Sequence, residues 1–333
     1  MADLPVIDVP ALGHGGVAGD QAVRQLDAAC REVGFFYIVG HGVDEGLQHR
    51  LEAQSRAFFD LPDAEKARIA MPRGGRAWRG WFPVGGELTS GRPDRKEGIY
   101  FGAELGPDHP RVAAGVPLHG PNLFPGRPAG LRDTVLGYMA AMTHLGHVLA
   151  EAVARALGLD ADWFATHLTA DPTVLFRIFH YPPAPPAGGV DSGWGVAEHT
   201  DYGLLTILRQ DGTGGLEVRT PRGWNAAPPV PGSFVCNLGD MLERMTGGLY
   251  RSTPHRVRNT GATARVSFAF FFDPSWDAEV APLPLGGRRG AAPSDERRWD
   301  GTNVHHLTGT YGDYLLTKVA KVFPDLGARV LDS

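Results

Sequence analysis

The sequence predicts an α+β protein with a mainly β core, a double-sheet β architecture such as a jelly roll, flanked by helices. Three observations carry that expectation. The hydrophobic period changes from helical to alternating after Gly158. The 45 glycines and 27 prolines among 333 residues favour many turns, and turn residues cut the second half into short runs. Before the switch, an apolar stripe from Leu131 to Leu157 defines a helix long enough to buttress a whole sheet.

Taken in order, Pro5–Val9 alternates weakly and reads as a short strand. From Asp20, a suitable N-cap, Ala22, Val23, Leu26, Ala29 and Cys30 recur at helical spacing until Gly34. Phe35–Val39 is a buried strand closed by Gly40-His41-Gly42. Asp44 caps a helix with Leu47, Leu51 and Phe58 on one face, and a short charged helix follows around Asp63–Ile69. Residues 72–97 are aromatic and broken by glycine, a loop that could line a pocket or pack its own rings. Residues 103–129 read as a connector. Candidates for a pocket wall are Trp78, Arg79, Trp81, Tyr100, Phe101 and Phe272, with ordinary packing an equal reading for each.

After the long helix, Thr173–Tyr181 forms a strand ended by Pro182-Pro183. Leu204–Leu208, Leu216–Val218, Phe234–Cys236, Arg256–Val257 and Arg265–Phe272 follow as strands, interrupted by one helix at Asp240–Met245. A last helix runs from Tyr311 to Val322 and is stopped by Pro324. The expected organisation is an α/β region over 1–120, a connector and buttressing helix over 121–170, the jelly-roll core over 171–275, and a C-terminal loop and helix over 276–333.

Composition narrows the function classes. Apolar residues make up 43% and charged residues 21%, an ordinary globular balance. The net charge of −5 offers no basic face, so neither nucleic acid nor a membrane surface is an expected partner. The longest dense apolar run, Val266 to Phe272, is too short to span a bilayer. Residues 1–20 carry no secretory pattern. A cytoplasmic monomer or weak homo-oligomer acting on a small molecule is the expectation. Cys30 and Cys236 lie far apart in apolar segments and read as buried free thiols.

The chemistry begins at His199-Thr200-Asp201, an imidazole and a carboxylate two residues apart on one side of an extended segment. Alone, this is a weak metal signal. Two histidines and one carboxylate with open positions is the arrangement associated with non-haem Fe(II), and His255 can complete it. The chain between them is long enough for three or four short strands to lead away and return. His144 and His147, three apart on the long helix, have no Glu-x-x-His partners and read as its polar flank. Arg265 and Ser267 face the same way in an apolar strand, where a guanidinium needs an anionic partner, from the protein or from a ligand.

His199-x-Asp201, His255 and Arg265-x-Ser267, in this order, resemble the Fe(II)/2-oxoglutarate-dependent dioxygenases of the isopenicillin N synthase-like branch. Pro5-Val6-Ile7-Asp8 and Gly34-Phe35-Phe36-Tyr37 resemble the N-terminal region of that branch. Asn237-Leu238-Gly239-Asp240-Met241-Leu242 and Ser252-Thr253-Pro254-His255-Arg256-Val257 resemble its core. The resemblance implies a distorted double-stranded β-helix (jelly roll). It also implies that His199, Asp201 and His255 ligate iron and that Arg265 and Ser267 hold the distal carboxylate of 2-oxoglutarate. Tyr181 then hydrogen-bonds the cosubstrate; Phe179 stands where many plant members have asparagine.

The implied reaction consumes O2, converts 2-oxoglutarate to succinate and CO2, and hydroxylates or otherwise oxidises a C–H bond of a small organic substrate, with ascorbate as activator in vitro. The rivals are an isopenicillin N synthase-type oxidase without 2-oxoglutarate, ethylene-forming fragmentation of 2-oxoglutarate, a zinc hydrolase on the same ligands, and a non-catalytic binding module.

Overall fold

The computed structural model describes residues 4–184, 193–287, 298 and 300–331. The N-terminal region supplies one edge of a large sheet. Strand β1 (Val6–Asp8) pairs in parallel with β2 (Phe35–Val39), with Ile7 opposite Ile38. Helices α1 (Val9–Gly13) and α2 (Gly16–Glu32) make the crossover. The second begins one turn before the expected Asp20 cap. Gly19 permits this, since a Cβ there would lie 1.9 Å from the His14 carbonyl oxygen.

Asp44 caps α3 (Glu45–Phe59) as expected, accepting from the Leu47 amide at 2.6 Å. The charged segment shortens to α4 (Asp63–Lys66) followed by a 3₁₀ turn.

Residues 72–97 are not wholly loop. They contain β3 (Gly80–Phe82), the hairpin β4 (Leu88–Thr89) and β5 (Arg92–Pro93), and the start of β6 (Glu97–Gly102). Every residue of β3 and β6 is buried, so neither strand shows the polar–apolar alternation that would reveal it in the sequence. After α5 (Pro110–Ala113), the long helix α6 runs Leu131–Ala156, and α7 (Trp163–His167) follows.

The C-terminal part is the double sheet. Its strands are β7 (Pro172–Tyr181), β8 (Val196–His199), β9 (Leu205–Gln210), β10 (Leu216–Thr220), β11 (Gly223–Ala226), β12 (Ser233–Leu238), β13 (His255–Val257) and β14 (Arg265–Ser275). Helix α8 (Asp240–Met245) separates β12 from β13. Eight strands form the major sheet in the order β1-β2-β12-β9-β14-β7-β6-β3, and four form the minor sheet in the order β11-β10-β13-β8. The mainly β double-sheet core is therefore as expected, with the N-terminal strands built into it.

Alternation along β14 sorts its side chains between two environments. Val266, Phe268, Phe270 and Phe272 are fully buried on the face toward α6. There Gly146 admits the Phe272 ring; a Cβ on Gly146 would meet it at 2.4 Å. Arg265, Ser267, Ala269, Phe271 and Asp273 occupy the other face and line a cavity of roughly 910 Å³, including its open mouth, between the sheets. Strand β7 repeats the pattern, with Leu175, Arg177, Phe179 and Tyr181 on the cavity side.

Helix α9 (Tyr311–Val322) starts at a capping box of Thr310 and Asp313. Pro324 ends it as expected and also opens α10 (Pro324–Leu331), because the first position of a helix needs no amide donor. Cys30 and Cys236 are free and buried. Among the described residues no helix is long and apolar enough to cross a membrane.

Candidate functional site

Strands β8 and β13 run antiparallel with His199 directly opposite His255. The two histidines, distant in the chain, are thus a cross-strand pair with ring centroids 4.2 Å apart. The connection between them holds β9 to β12, the four strands that the spacing allows. Asp201 lies two residues beyond the end of β8, so strand alternation alone does not aim it. The Asp240 amide donates to the Asp201 carbonyl at 2.8 Å, and the Asp240 carboxylate accepts from the Thr200 hydroxyl at 3.2 Å. These contacts fix the turn that swings Asp201 back toward the histidines.

Three potential ligand atoms, one each from His199, Asp201 and His255, lie within 4.8 Å of one another. Each His Nε2 is 3.7 Å from Asp201 Oδ1. The opposite ring nitrogens are engaged: His199 Nδ1 donates to the Ala197 carbonyl at 2.8 Å and His255 Nδ1 to the Thr253 carbonyl at 3.2 Å. A carbonyl oxygen only accepts, so Nδ1 carries the proton in each bond and Nε2 presents its lone pair inward. Burial and then the neighbouring His255 push the His199 imidazole down to about 3, which keeps it neutral at working pH.

Asp201 is oriented equally firmly. Its Oδ2 accepts from Asn237 Nδ2 at 2.7 Å and Thr206 Oγ1 at 2.6 Å, leaving Oδ1 for the shared point. Burial opposes its charge, but the two imidazoles and these hydrogen bonds outweigh it and lower its pKa. Sequence reasoning missed the roles of Thr206 and Asn237. The available signal was two polar residues at cavity-facing positions of otherwise apolar strands. Asn237→Leu removes one anchor of Oδ2 while keeping similar volume. It should weaken iron binding by about 10–100-fold, read by equilibrium dialysis with iron quantification.

The far end of the cavity is built around Arg265, whose relative exposure is 0%. Its Nε donates to the Gly214 carbonyl at 2.6 Å and its Nη2 to Gln210 Oε1 at 3.2 Å, while Nη1 is buried without a partner. Among the described residues no carboxylate pairs with it, which removes the protein salt bridge as the reason for its burial. Ser267 lies two residues on along the same face. The Tyr181 ring packs against the guanidinium at 4.7 Å, and Phe179 stands beside it on the cavity wall. The arrangement fits an acidic ligand reaching from the metal point to Arg265.

None of the six candidate wall residues lines this cavity. Arg79 is buried and donates to the carbonyls of Leu118, Ala103 and Gly120, so it staples the connector and meets no anion. Trp78 is core, and Trp81 donates to Glu97 at 2.8 Å. Phe101 stacks between Phe124 and Phe176, Phe272 faces α6, and Tyr100 sits behind the wall with its hydroxyl on Glu87. The wall is instead made by residues such as Glu87, Lys96, Arg177, Tyr202 and Phe271. His144 is exposed and His147 packs edge-on against Phe272, consistent with a polar flank of α6.

A double sheet holding two histidines and a carboxylate at one point, with an anion socket opposite, defines a mononuclear non-haem iron oxygenase. The comparisons with known proteins give the particular family. Residues 172–274 match the 2OG-Fe(II) oxygenase superfamily, and residues 4–127 match the N-terminal region of non-haem dioxygenases in morphine synthesis. A probable iron/ascorbate oxidoreductase of Dictyostelium discoideum is 47% identical, covering 98% of this chain and 97% of that protein. A homoarginine-6-hydroxylase of Arabidopsis thaliana is 36% identical over 96% and 97%. An oxygenase of Neurospora crassa solved in complex with alpha-KG superposes with TM-score 0.77 at 25% identity, covering 95% of this chain and 96% of that one. The chain belongs to the 2OG-Fe(II) oxygenase superfamily. It is an oxidoreductase that couples oxidation of a small molecule to 2-oxoglutarate, with iron as its metal.

Proposed function

We propose that His199, Asp201 and His255 ligate Fe(II) and that Arg265, Ser267 and Tyr181 hold 2-oxoglutarate in an isopenicillin N synthase-like member of the superfamily. The observation that carries this reading is the buried, unpartnered Nη1 of Arg265 in the cavity that also holds the triad. A distal carboxylate supplies the anion that this guanidinium lacks, and the hydroxyls of Ser267 and Tyr181 are placed to share it. The matched segments 4–127 and 172–274 support the division into an N-terminal α/β region over 1–120, a connector and helix over 121–170, a core over 171–275 and a C-terminal segment over 276–333.

Iron and 2-oxoglutarate together supply an oxidant strong enough to attack an unactivated C–H bond, with succinate and CO2 as coproducts. The chain contributes position and dryness. Neutral His199 presents Nε2 without first losing a proton, and Thr206 with Asn237 keeps Asp201 Oδ1 turned inward. Phe35, edge-on to His255 at 5.1 Å, screens that ring from water. No side chain is needed as a general base. Hydroxylation is the default outcome, ascorbate serves as reductant in vitro, and the setting is cytoplasmic with a monomer or weak homo-oligomer.

The test is a succinate assay with Fe(II), O2 and ascorbate across amino acids, peptides, alkaloids and phenolics. Succinate should form in step with oxidised product. Oxidation without succinate would establish the oxidase that uses no 2-oxoglutarate, and ethylene in the headspace would establish the fragmentation reaction.

A further inference from the structure

Arg177 repeats, at the other end of the cavity, the situation that singled out Arg265. It lies on the cavity face of β7 between Leu175 and Phe179, and its side chain is 11% exposed. The register sets Arg265 opposite Tyr181 and Ala269 opposite Arg177. The two arginines are thus four steps apart along paired strands, roughly 13 Å. Its guanidinium lies between two rings, 4.2 Å from the Tyr100 centroid and 4.8 Å from that of Phe271. Stacking of this kind covers the faces of the fork and leaves its edge for hydrogen bonding.

That edge has no hydrogen-bond partner among the described residues, and Nε is buried without one. The nearest carboxylate oxygen, Glu87 Oε1, is 3.7 Å from Nη1, too far for a hydrogen bond. Glu87 is in any case committed: Oε1 accepts from the Tyr100 hydroxyl and Oε2 meets Lys96 Nζ at 2.7 Å. Asp94, which accepts from Thr89 and Lys96, is held in the same knot. Asp273 accepts from the Leu204 amide at 3.1 Å and the Tyr311 hydroxyl at 2.5 Å. Each acidic group around Arg177 is thus occupied, and the fork is the one strong donor left over on this wall.

A buried guanidinium with an open edge is costly unless a ligand meets it, and a planar acid matches its two parallel donors. We infer that Arg177 is the substrate anchor, and that the oxidised substrate is a small molecule bearing a carboxylate that pairs with the Arg177 edge. Its remaining body lies against Leu175, Phe271, Leu315 and Val322, between Arg177 and the metal ligands. The inference rests on the iron and 2-oxoglutarate reading of the cavity, with Arg265 taken by the cosubstrate.

The test is calorimetric titration of the full chain loaded with Fe(II) and 2-oxoglutarate in the absence of O2. The probes are the common 2-amino acids and a set of aliphatic and aromatic monocarboxylic acids, each beside its primary carboxamide. Binding should be confined to acids, and which of the two sets binds separates an amino-acid substrate from a plain acid. Arg177→Gln should weaken the bound acid by at least about tenfold, and Arg177→Lys, which keeps the charge but not the fork, should recover part of that loss. Should Arg177→Gln fail to fold, the acid-over-amide preference of the natural chain and the Arg177→Lys shift decide the matter. Amides binding as tightly as acids, no acid binding, or unchanged affinity in both variants would each overturn the assignment. Failure of the underlying reading registers separately, as absence of 2-oxoglutarate binding before any acid is added.

Discussion

His255→Ala is expected to abolish iron binding and succinate release together. His255 contributes one of three inward-facing ligand atoms, and its partner across the strand pair cannot move to replace it. His199 is tied by Nδ1 to its own strand, and Asp201 is clamped by Thr206 and Asn237. Two ligands would remain, and the loss should exceed the roughly 10–100-fold that removal of an outer hydrogen-bond partner costs a metal site. Equilibrium dialysis against Fe(II) gives the binding loss and succinate release gives the turnover loss. A far-ultraviolet circular dichroism spectrum like that of the natural chain would show that the sheets survive, as expected for a side chain on the cavity rather than the packed face. Undiminished succinate release would take His255 out of the site.

The site was more legible than the cavity around it. The triad and Arg265-x-Ser267 could be read because each places a polar group where period two makes the rest of the strand apolar. The same reasoning applies to Arg177, between Leu175 and Phe179, and would have found it. Instead the wall was sought in the glycine-rich aromatic segment, where Trp78, Arg79, Trp81, Tyr100 and Phe101 are buried for packing. Composition alone does not separate an aromatic that faces a cavity from one that faces a core. Phe271 and Phe272 make the point at closest range: one lines the cavity and its neighbour packs on α6, and only the register fixed by Arg265 decides which. Strands β3 and β6 escaped detection for a related reason, since burial on both faces erases alternation. Helix α6 and the α3 cap were readable because one-sided burial and a local Asp44 bond leave their mark in sequence.

Arg265→Lys separates the two guanidinium groups of the cavity by what each binds. The native side chain spends Nε on Gly214 and Nη2 on Gln210, and these two bonds aim Nη1 at the ligand. Lysine keeps a positive charge but has one nitrogen, which cannot hold both protein acceptors and a carboxylate in the same plane. Its ammonium is also more strongly hydrated, so its burial is harder to offset. The 2-oxoglutarate concentration for half-maximal succinate release should therefore rise by about an order of magnitude or more, in keeping with loss of a charge-assisted fork. The rate at saturating cosubstrate should fall less, because the metal ligands are untouched. The affinity for the carboxylate substrate should move little, since that anchor is Arg177, four steps along the paired strands. Arg177→Lys should do the converse. If Arg265→Lys left the 2-oxoglutarate requirement unchanged, the cosubstrate would be anchored elsewhere, and Arg177 is the other guanidinium on the cavity wall that has an open edge to receive it.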